Sequence, residues 1–237
     1  MTEALLEIEG LEAQYGRARI LHGVTLSLRR GEVLALMGRN GAGKSTTIKA
    51  VMGLVPPSGG TVRFAGTRID GREPYEIARL GLGYVPEERR IFSELTVMEN
   101  LAVGARPPRA GAPVWTPERL FALFPNLAAM RDRPGAAMSG GEQQMLTIAR
   151  TLMGNPGALL LDEPSEGLAP VIVQAMARMI LALKSEGLSI LLSEQNLHFA
   201  GSVADRAAII EKGEIRFEGS MAALKADDTL RTRYLSV

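Results

Sequence analysis

Apolar residues along this chain fall into three kinds of pattern. Three runs are almost unbroken: Val33-Leu34-Ala35-Leu36-Met37, Ala158-Leu159-Leu160-Leu161 and Ser189-Ile190-Leu191-Leu192-Ser193. Short runs without polar interruption read as strands buried on both faces, the environment of a central sheet. A second group alternates or clusters apolar residues: Leu5 to Gly10, Val24 to Leu28 and Thr61 to Ala65. These predict strands of an antiparallel layer beside the core. The third pattern is helical. Residues 46–52 predict a helix stopped by Gly53, and Val171 to Glu186 places Ile172, Met176, Met179, Ile180 and Leu183 on one face. A stripe of this kind is core packing. Arg206 to Glu211 and Glu214 to Glu218, joined by Lys212-Gly213, predict a closing hairpin. The stretch from about Glu88 to Pro156 reads as mostly helical, with an exposed loop at Arg106 to Pro113. No internal repeat or low-complexity tract is present.

The first run leads into Gly38-Arg39-Asn40-Gly41-Ala42-Gly43-Lys44-Ser45-Thr46, which fills the pattern G-x-x-x-x-G-K-[ST]. A strand, a glycine loop and a helix in succession aim backbone N–H groups and the positive end of a helix dipole at one point. Three phosphates fit there. Lys44 supplies a cation to the outer phosphates, and the Ser45 hydroxyl can ligate magnesium. The alternative, a glycine-rich turn met by chance, does not explain the strand and helix on either side.

The second run ends in Asp162-Glu163. Asp162 then sits at the C-terminal end of a buried strand, where ligands bind in open parallel sheets. It can hold magnesium, directly or through water. Glu163 can polarise a water for attack on the terminal phosphate. A third element, Met138-Ser139-Gly140-Gly141-Glu142, precedes a helical stretch running to Met153 and lies 23 residues before Asp162. A Ser hydroxyl, glycine N–H groups and a helix N-terminus make an anion-capturing surface, and Ser139 also suits a helix N-cap.

These three elements resemble the ATP-binding cassette (ABC) ATPases, whose signature reads Leu-Ser-Gly-Gly-Gln. The resemblance covers nearly the whole chain. It implies an α/β fold: a P-loop NTPase core with a parallel sheet, an antiparallel β sub-domain and an inserted helical sub-domain. The whole of residues 1–237 is then one ABC ATPase domain, with core and β layer over 1–87 and 157–237 and the helical sub-domain over about 88–156. It further implies ATP and Mg2+ as cofactors. Tyr15, 29 residues before Lys44, stands where the family sets an aromatic ring against adenine. Ser139, Gly140, Gly141 and Glu142 would serve the ATP of a second ATPase subunit, identical or different. Tyr84-Val85-Pro86-Glu87-Glu88-Arg89-Arg90-Ile91-Phe92, Glu163-Pro164-Ser165-Glu166-Gly167-Leu168-Ala169-Pro170 and Ser193-Glu194-Gln195-Asn196 look like the ATPases of branched-chain amino acid importers, of the LivF-like kind. The implied partners are transmembrane permease subunits, contacted near Glu87-Glu88-Arg89-Arg90, and indirectly a periplasmic or extracellular substrate-binding protein. The implied location is the cytoplasmic face of the membrane.

The chain departs from the general pattern at three places. Glu87 stands where a Gln usually lies near magnesium, Gln195 where a His usually touches the terminal phosphate, and Ala169 where an Asp often ends the loop. Glu87 can still ligate magnesium but adds negative charge. Gln195 can donate an N–H to phosphate but cannot become cationic. The two histidines, His22 at a strand start and His198 in the first turn of a helix, read as structural or surface residues.

Composition narrows the partners further. The chain has 237 residues, 46% hydrophobic, enough for one sizeable core. Lys plus Arg number 27 against 26 acids, a formal net charge of +1, which gives no electrostatic case for nucleic acid. There is no Cys, so no disulfide framework or thiol metal site. No apolar stretch approaches the roughly 20 residues that span a bilayer. Met1-Thr2-Glu3-Ala4 lacks the basic segment of a signal peptide. Import of branched-chain or other amino acids is the leading expectation. Urea or amide import, lipid export and a soluble non-transport ATPase remain alternatives.

Overall fold

The computed structural model describes residues 4–235; the N-terminal residues read above for a signal peptide lie partly outside that range. In chain order the elements are β1 (Ala4–Tyr15), β2 (Ala18–Arg29), β3 (Val33–Met37), α1 (Lys44–Val51), β4 (Pro57–Phe64), β5 (Thr67–Arg68), α2 (Pro74–Leu80), β6 (Leu82–Val85), α3 (Val97–Gly104), α4 (Pro117–Leu123), α5 (Pro125–Ala128), α6 (Gly140–Leu152), β7 (Ala158–Asp162), α7 (Pro170–Ser185), β8 (Ser189–Glu194), α8 (Leu197–Val203), β9 (Arg206–Glu211), β10 (Glu214–Ser220), α9 (Met221–Ala226) and α10 (Asp228–Tyr234).

The strands form two sheets, one ordered β2-β1-β4-β5 and the other β10-β9-β3-β8-β7-β6. The first is antiparallel throughout. In the second, β9, β3, β8, β7 and β6 run parallel, and β10 closes the edge as the antiparallel arm of a hairpin. The three apolar runs become its adjacent central strands, β3, β8 and β7. They need to be apolar at every position because both faces are covered. Leu34, Leu36, Leu160 and Leu191 pack with α1 and the antiparallel sheet. Their neighbours Val33, Leu159, Leu161, Ile190 and Leu192 pack on the other face with α6 and α7. The alternation along each strand thus divides the core into two layers. Met176, Met179, Ile180 and Leu183 of α7 are buried as expected, while Ile172 is only half-buried.

Several elements differ from the sequence reading. Strand β1 continues past Gly10 to Tyr15, because a register shift between Ile8 and Leu11 changes the phase of its alternation. Gly10 has φ +59°, which admits the bulge. Strand β4 begins at Pro57, through Gly59 and Gly60, where no apolar pattern exists to read. Helix α1 starts at Lys44 rather than Thr46, since its polar first turn belongs to the phosphate loop. His22 lies within β2 rather than at its start, exposed. The stretch from Glu88 to Pro156 is less helical than expected: irregular segments over residues 88–96 and 105–116 flank α3. No helix among the described residues is long and apolar enough to cross a membrane.

Candidate functional site

The register of the parallel sheet assembles the site. Met37 pairs with Glu194, Asp162 with Ser193, and Val85 with Leu161. The C-terminal ends of β3, β7, β8 and β6 therefore lie side by side. The loops leaving them carry residues 38–43, Glu163, Gln195 and Glu87.

Residues 38–43 are folded by backbone constraints. A Cβ on Gly38 would stand 2.5 Å from the Ile210 carbonyl oxygen, so this position requires glycine. Gly43, at φ +116°, turns the chain into α1. Ala42 is buried, its carbonyl accepting the Gly213 N–H at 2.8 Å, which fixes the loop to the β9–β10 turn. Arg39, Asn40 and Gly41 are exposed.

Lys44 is 3% exposed, and its ammonium points back along the loop. Nζ donates to the Gly38 carbonyl at 2.8 Å and the Arg39 carbonyl at 3.1 Å. It also meets Glu163 Oε1 at 3.0 Å. Its three donors are thus all engaged. Glu163 itself sits at φ +44°, a left-handed conformation uncommon for a side chain of this size. That turn takes it out of β7 and directs its carboxylate toward Lys44. Its N–H donates to the Ser193 carbonyl at 3.1 Å, so β8 supports the conformation.

Asp162 is 1% exposed and has two hydroxyl partners. Ser45 Oγ donates to its Oδ1 at 2.9 Å, and Ser193 Oγ to the same oxygen at 2.8 Å. Burial pushes its carboxyl above the usual carboxylate range, against the opposing pull of the two hydroxyls. A buried carboxylate beside a serine hydroxyl is a donor set that a hard cation would complete. Glu87 belongs to the same acidic field. Burial raises its carboxyl first, then repulsion from Glu163, Asp162 and Glu88, while Lys49 opposes.

A cavity of about 220 Å³ runs from Tyr15 over Gly41, Gly43, Lys44, Ser45 and Thr46 to Glu163. Tyr15 is half exposed at its mouth. Ser139 caps α6: its Oγ accepts the Glu142 N–H at 3.4 Å, and Glu142 Oε2 accepts the Ser139 N–H at 2.8 Å. Ser139, Gly140, Gly141 and Glu142 do not line the cavity at Lys44. Ala169 caps α7 with no side-chain hydrogen bond, where an Asp would have supplied one.

A second cavity, of about 510 Å³, adjoins the other side of Glu163. Gln195 and His198 both line it, and both are exposed. Strand β8 runs one residue further than the apolar pattern indicates, to Glu194, so Gln195 follows it directly. Two acids on this cavity escaped the sequence reading. Glu194, 2% exposed, accepts from Ser165 Oγ at 2.5 Å and from the Asn196 N–H at 3.2 Å, tying the loop after β7 to β8. Glu166 has its carboxyl pushed up to about 7, first by a hydrogen bond with Glu163, then by burial and by Glu163, Glu87 and Glu194. An acid inside a Ser-Glu-Gly turn was the one available signal. Ser193 escaped as well, because its register against Asp162 is set by the pairing of β7 with β8.

The ABC transporter family profile matches residues 21–166, more than half of the chain. The chain belongs to the ABC transporter family. It is 40% identical over 231 residues to the high-affinity branched-chain amino acid transport ATP-binding protein BraG of Pseudomonas aeruginosa, covering 98% of this chain and 99% of that one. It is 32% identical to the lipopolysaccharide export system ATP-binding protein LptB of Escherichia coli, covering 98% and 97%. The ADP conformation of MJ1267, an ATP-binding cassette of an ABC transporter, superposes with a TM-score of 0.82 at 28% identity, covering 98% of both chains. The fold is accordingly that of a P-loop NTPase of the ABC type, and the chain is an ATP-binding, ATP-hydrolysing subunit of an ABC transporter.

Proposed function

We propose that this ATPase powers import of branched-chain amino acids. The observation that supports this most directly is the 40% identity with BraG across essentially the full length of both chains. The LptB relatives keep lipid export as the competing reading.

In this reading ATP lies on residues 38–46 with adenine against Tyr15. Lys44 exchanges its contacts with Gly38, Arg39 and Glu163 for the outer phosphates, where its charge and the loop N–H groups stabilise the transferred phosphoryl group. Release of Lys44 frees Glu163 to orient and deprotonate the attacking water. Ser45, Asp162 and Glu87 would hold magnesium, which supplies Lewis-acid stabilisation of phosphate charge when bound. Gln195 donates to the terminal phosphate. Ser139 to Glu142 of a second ATPase subunit close over the nucleotide, consistent with their separation from Lys44 within one chain. The chain acts as a single cassette domain, with the lobe of about 88–156 passing closure to permease subunits at the cytoplasmic face of the membrane. A substrate-binding protein delivers the amino acid to that permease.

The test is reconstitution with the permease and binding protein in lipid vesicles. Leucine, isoleucine or valine added with the binding protein should raise ATP turnover and drive uptake. Turnover unmoved by these amino acids but raised by lipopolysaccharide or by urea would replace the substrate while leaving the ATPase assignment in place.

A further inference from the structure

Tyr84, the third residue of β6, carries a hydroxyl that is buried and has no partner in hydrogen-bonding geometry. Its ring is half-buried against the core layer that includes Leu160 and the apolar residues of α1. A buried hydroxyl without a partner costs its desolvation, and phenylalanine would fill the same space without that cost. The oxygen therefore calls for a use.

Strand register sets this hydroxyl on the Asp162 side of the sheet. Tyr84 pairs with Leu160, and Asp162 follows Leu160 by two residues in β7. Side chains two apart share a face, so Tyr84, Leu160 and Asp162 all project toward α1. On that face Ser45 of α1 donates to Asp162 Oδ1 at 2.9 Å. The electrostatics agree. Burial raises the pKa of the Tyr84 hydroxyl first, then the negative charges of Asp162 and Glu88, with Arg90 opposing; incipient hydrogen bonding to Asp162 adds a smaller share. Asp162 has a place for such a donor. Ser45 and Ser193 both bond Oδ1, so neither holds Oδ2.

We propose that Tyr84 is a positioning residue for the magnesium site: its hydroxyl donates to Asp162 Oδ2 when Ser45 turns from Asp162 to the cation. This role rests on the reading above, in which Ser45 and Asp162 hold magnesium. The carboxylate then keeps two donors throughout, Ser193 on Oδ1 and Tyr84 on Oδ2. A neutral donor suits this position. It orients the carboxylate without cancelling the charge that attracts a divalent cation, as an ammonium or guanidinium would.

Manganese serves as a paramagnetic probe of the cation site, and ADP replaces ATP so that nothing turns over. Manganese is titrated into the ADP complex of the full chain, and its binding is followed by electron paramagnetic resonance. Tyr84→Phe should weaken manganese binding about tenfold, the lower end of the usual loss when an outer partner of a metal ligand is removed. ADP binding in EDTA, measured by calorimetry, should stay close to wild type, because the hydroxyl acts through the cation. The cation-free thermal midpoint should be no lower than wild type, since the substitution removes an unpaired buried group. Unchanged manganese affinity in Tyr84→Phe would overturn the role of Tyr84 and leave the magnesium reading intact. A loss of ADP binding in EDTA as large as the loss of manganese binding would also overturn it, because Tyr84 would then shape the nucleotide loop itself. Ser45→Ala and Asp162→Asn separate the two readings. If neither weakens manganese binding, the cation lies elsewhere and the proposal for Tyr84 falls with the site.

Discussion

Lys44 and Glu163 form a buried ion pair, Nζ to Oε1 at 3.0 Å, with side chains 2% and 7% exposed. Each would be an uncompensated buried charge without the other. In the proposed mechanism the pair holds the phosphate-binding cation and the base together until nucleotide separates them.

Lys44→Ala leaves Glu163 buried beside no cation. Breaking a buried pair from one side costs about 3–5 kcal/mol. In a chain of this size each kcal/mol shifts the thermal midpoint by about 2–4 °C. Calorimetry of the nucleotide-free variant should therefore show a clear fall in midpoint, and titration calorimetry should show weakened ATP binding with no turnover. Near-normal hydrolysis would remove Lys44 from the phosphate site.

Glu163→Gln keeps an oxygen acceptor for Lys44 but removes the proposed base. ATP binding should persist, hydrolysis should be lost, and ATP should trap a dimer visible by size-exclusion chromatography. Unchanged turnover would exclude Glu163 as the base, and a monomer in saturating ATP would count against the two-subunit site.

Gln195 and His198 line the same cavity as Glu163, so position alone does not separate them. Gln195 directly follows β8, beside the ends of the strands that carry Asp162 and the phosphate loop. Gln195→Ala should lower turnover several-fold, within the limit of about 1.5–3 kcal/mol for a hydrogen bond to a charged group. His198→Ala, an exposed change, should stay within about a factor of two. An inert Gln195 with an essential His198 would reverse the assignment.

Glu166 carries the pH prediction. Its carboxyl is pushed up to about 7 in the folded chain, against about 4.3 for an unperturbed glutamate. The folded state therefore holds a proton that the unfolded state has lost across that window, and this group's contribution favours folding more as pH falls from about 7 toward 4. Carboxyl-carbon NMR of the metal-free, nucleotide-free protein should show one midpoint near 7 that vanishes in Glu166→Gln. A Glu166 resonance titrating wholly below pH 5 would show that it does not share a proton with Glu163.

The amino-acid sequence by itself determined the chemistry that is local along the chain. Residues 38–46 were legible because their glycines, Lys44 and Ser45 stand at fixed spacing along the chain, and Ser139 with Glu142 closes a helix cap across three residues. The apolar runs of β3, β7 and β8 were legible because a strand covered on both faces must be apolar at every position. Tertiary structure decided whatever depends on pairing between distant strands. Ser45 and Asp162 are 117 positions apart, and Ser193 reaches Asp162 from 31 positions away, through a register no single run encodes. The left-handed turn at Glu163 follows from support by β8 rather than from any preference of glutamate. The bulge in β1 and the glycine-rich start of β4 hid part of the antiparallel sheet: the bulge shifts the phase in which Leu11 and Ala13 are buried, and backbone pairing with β1 holds the start of β4 as a strand.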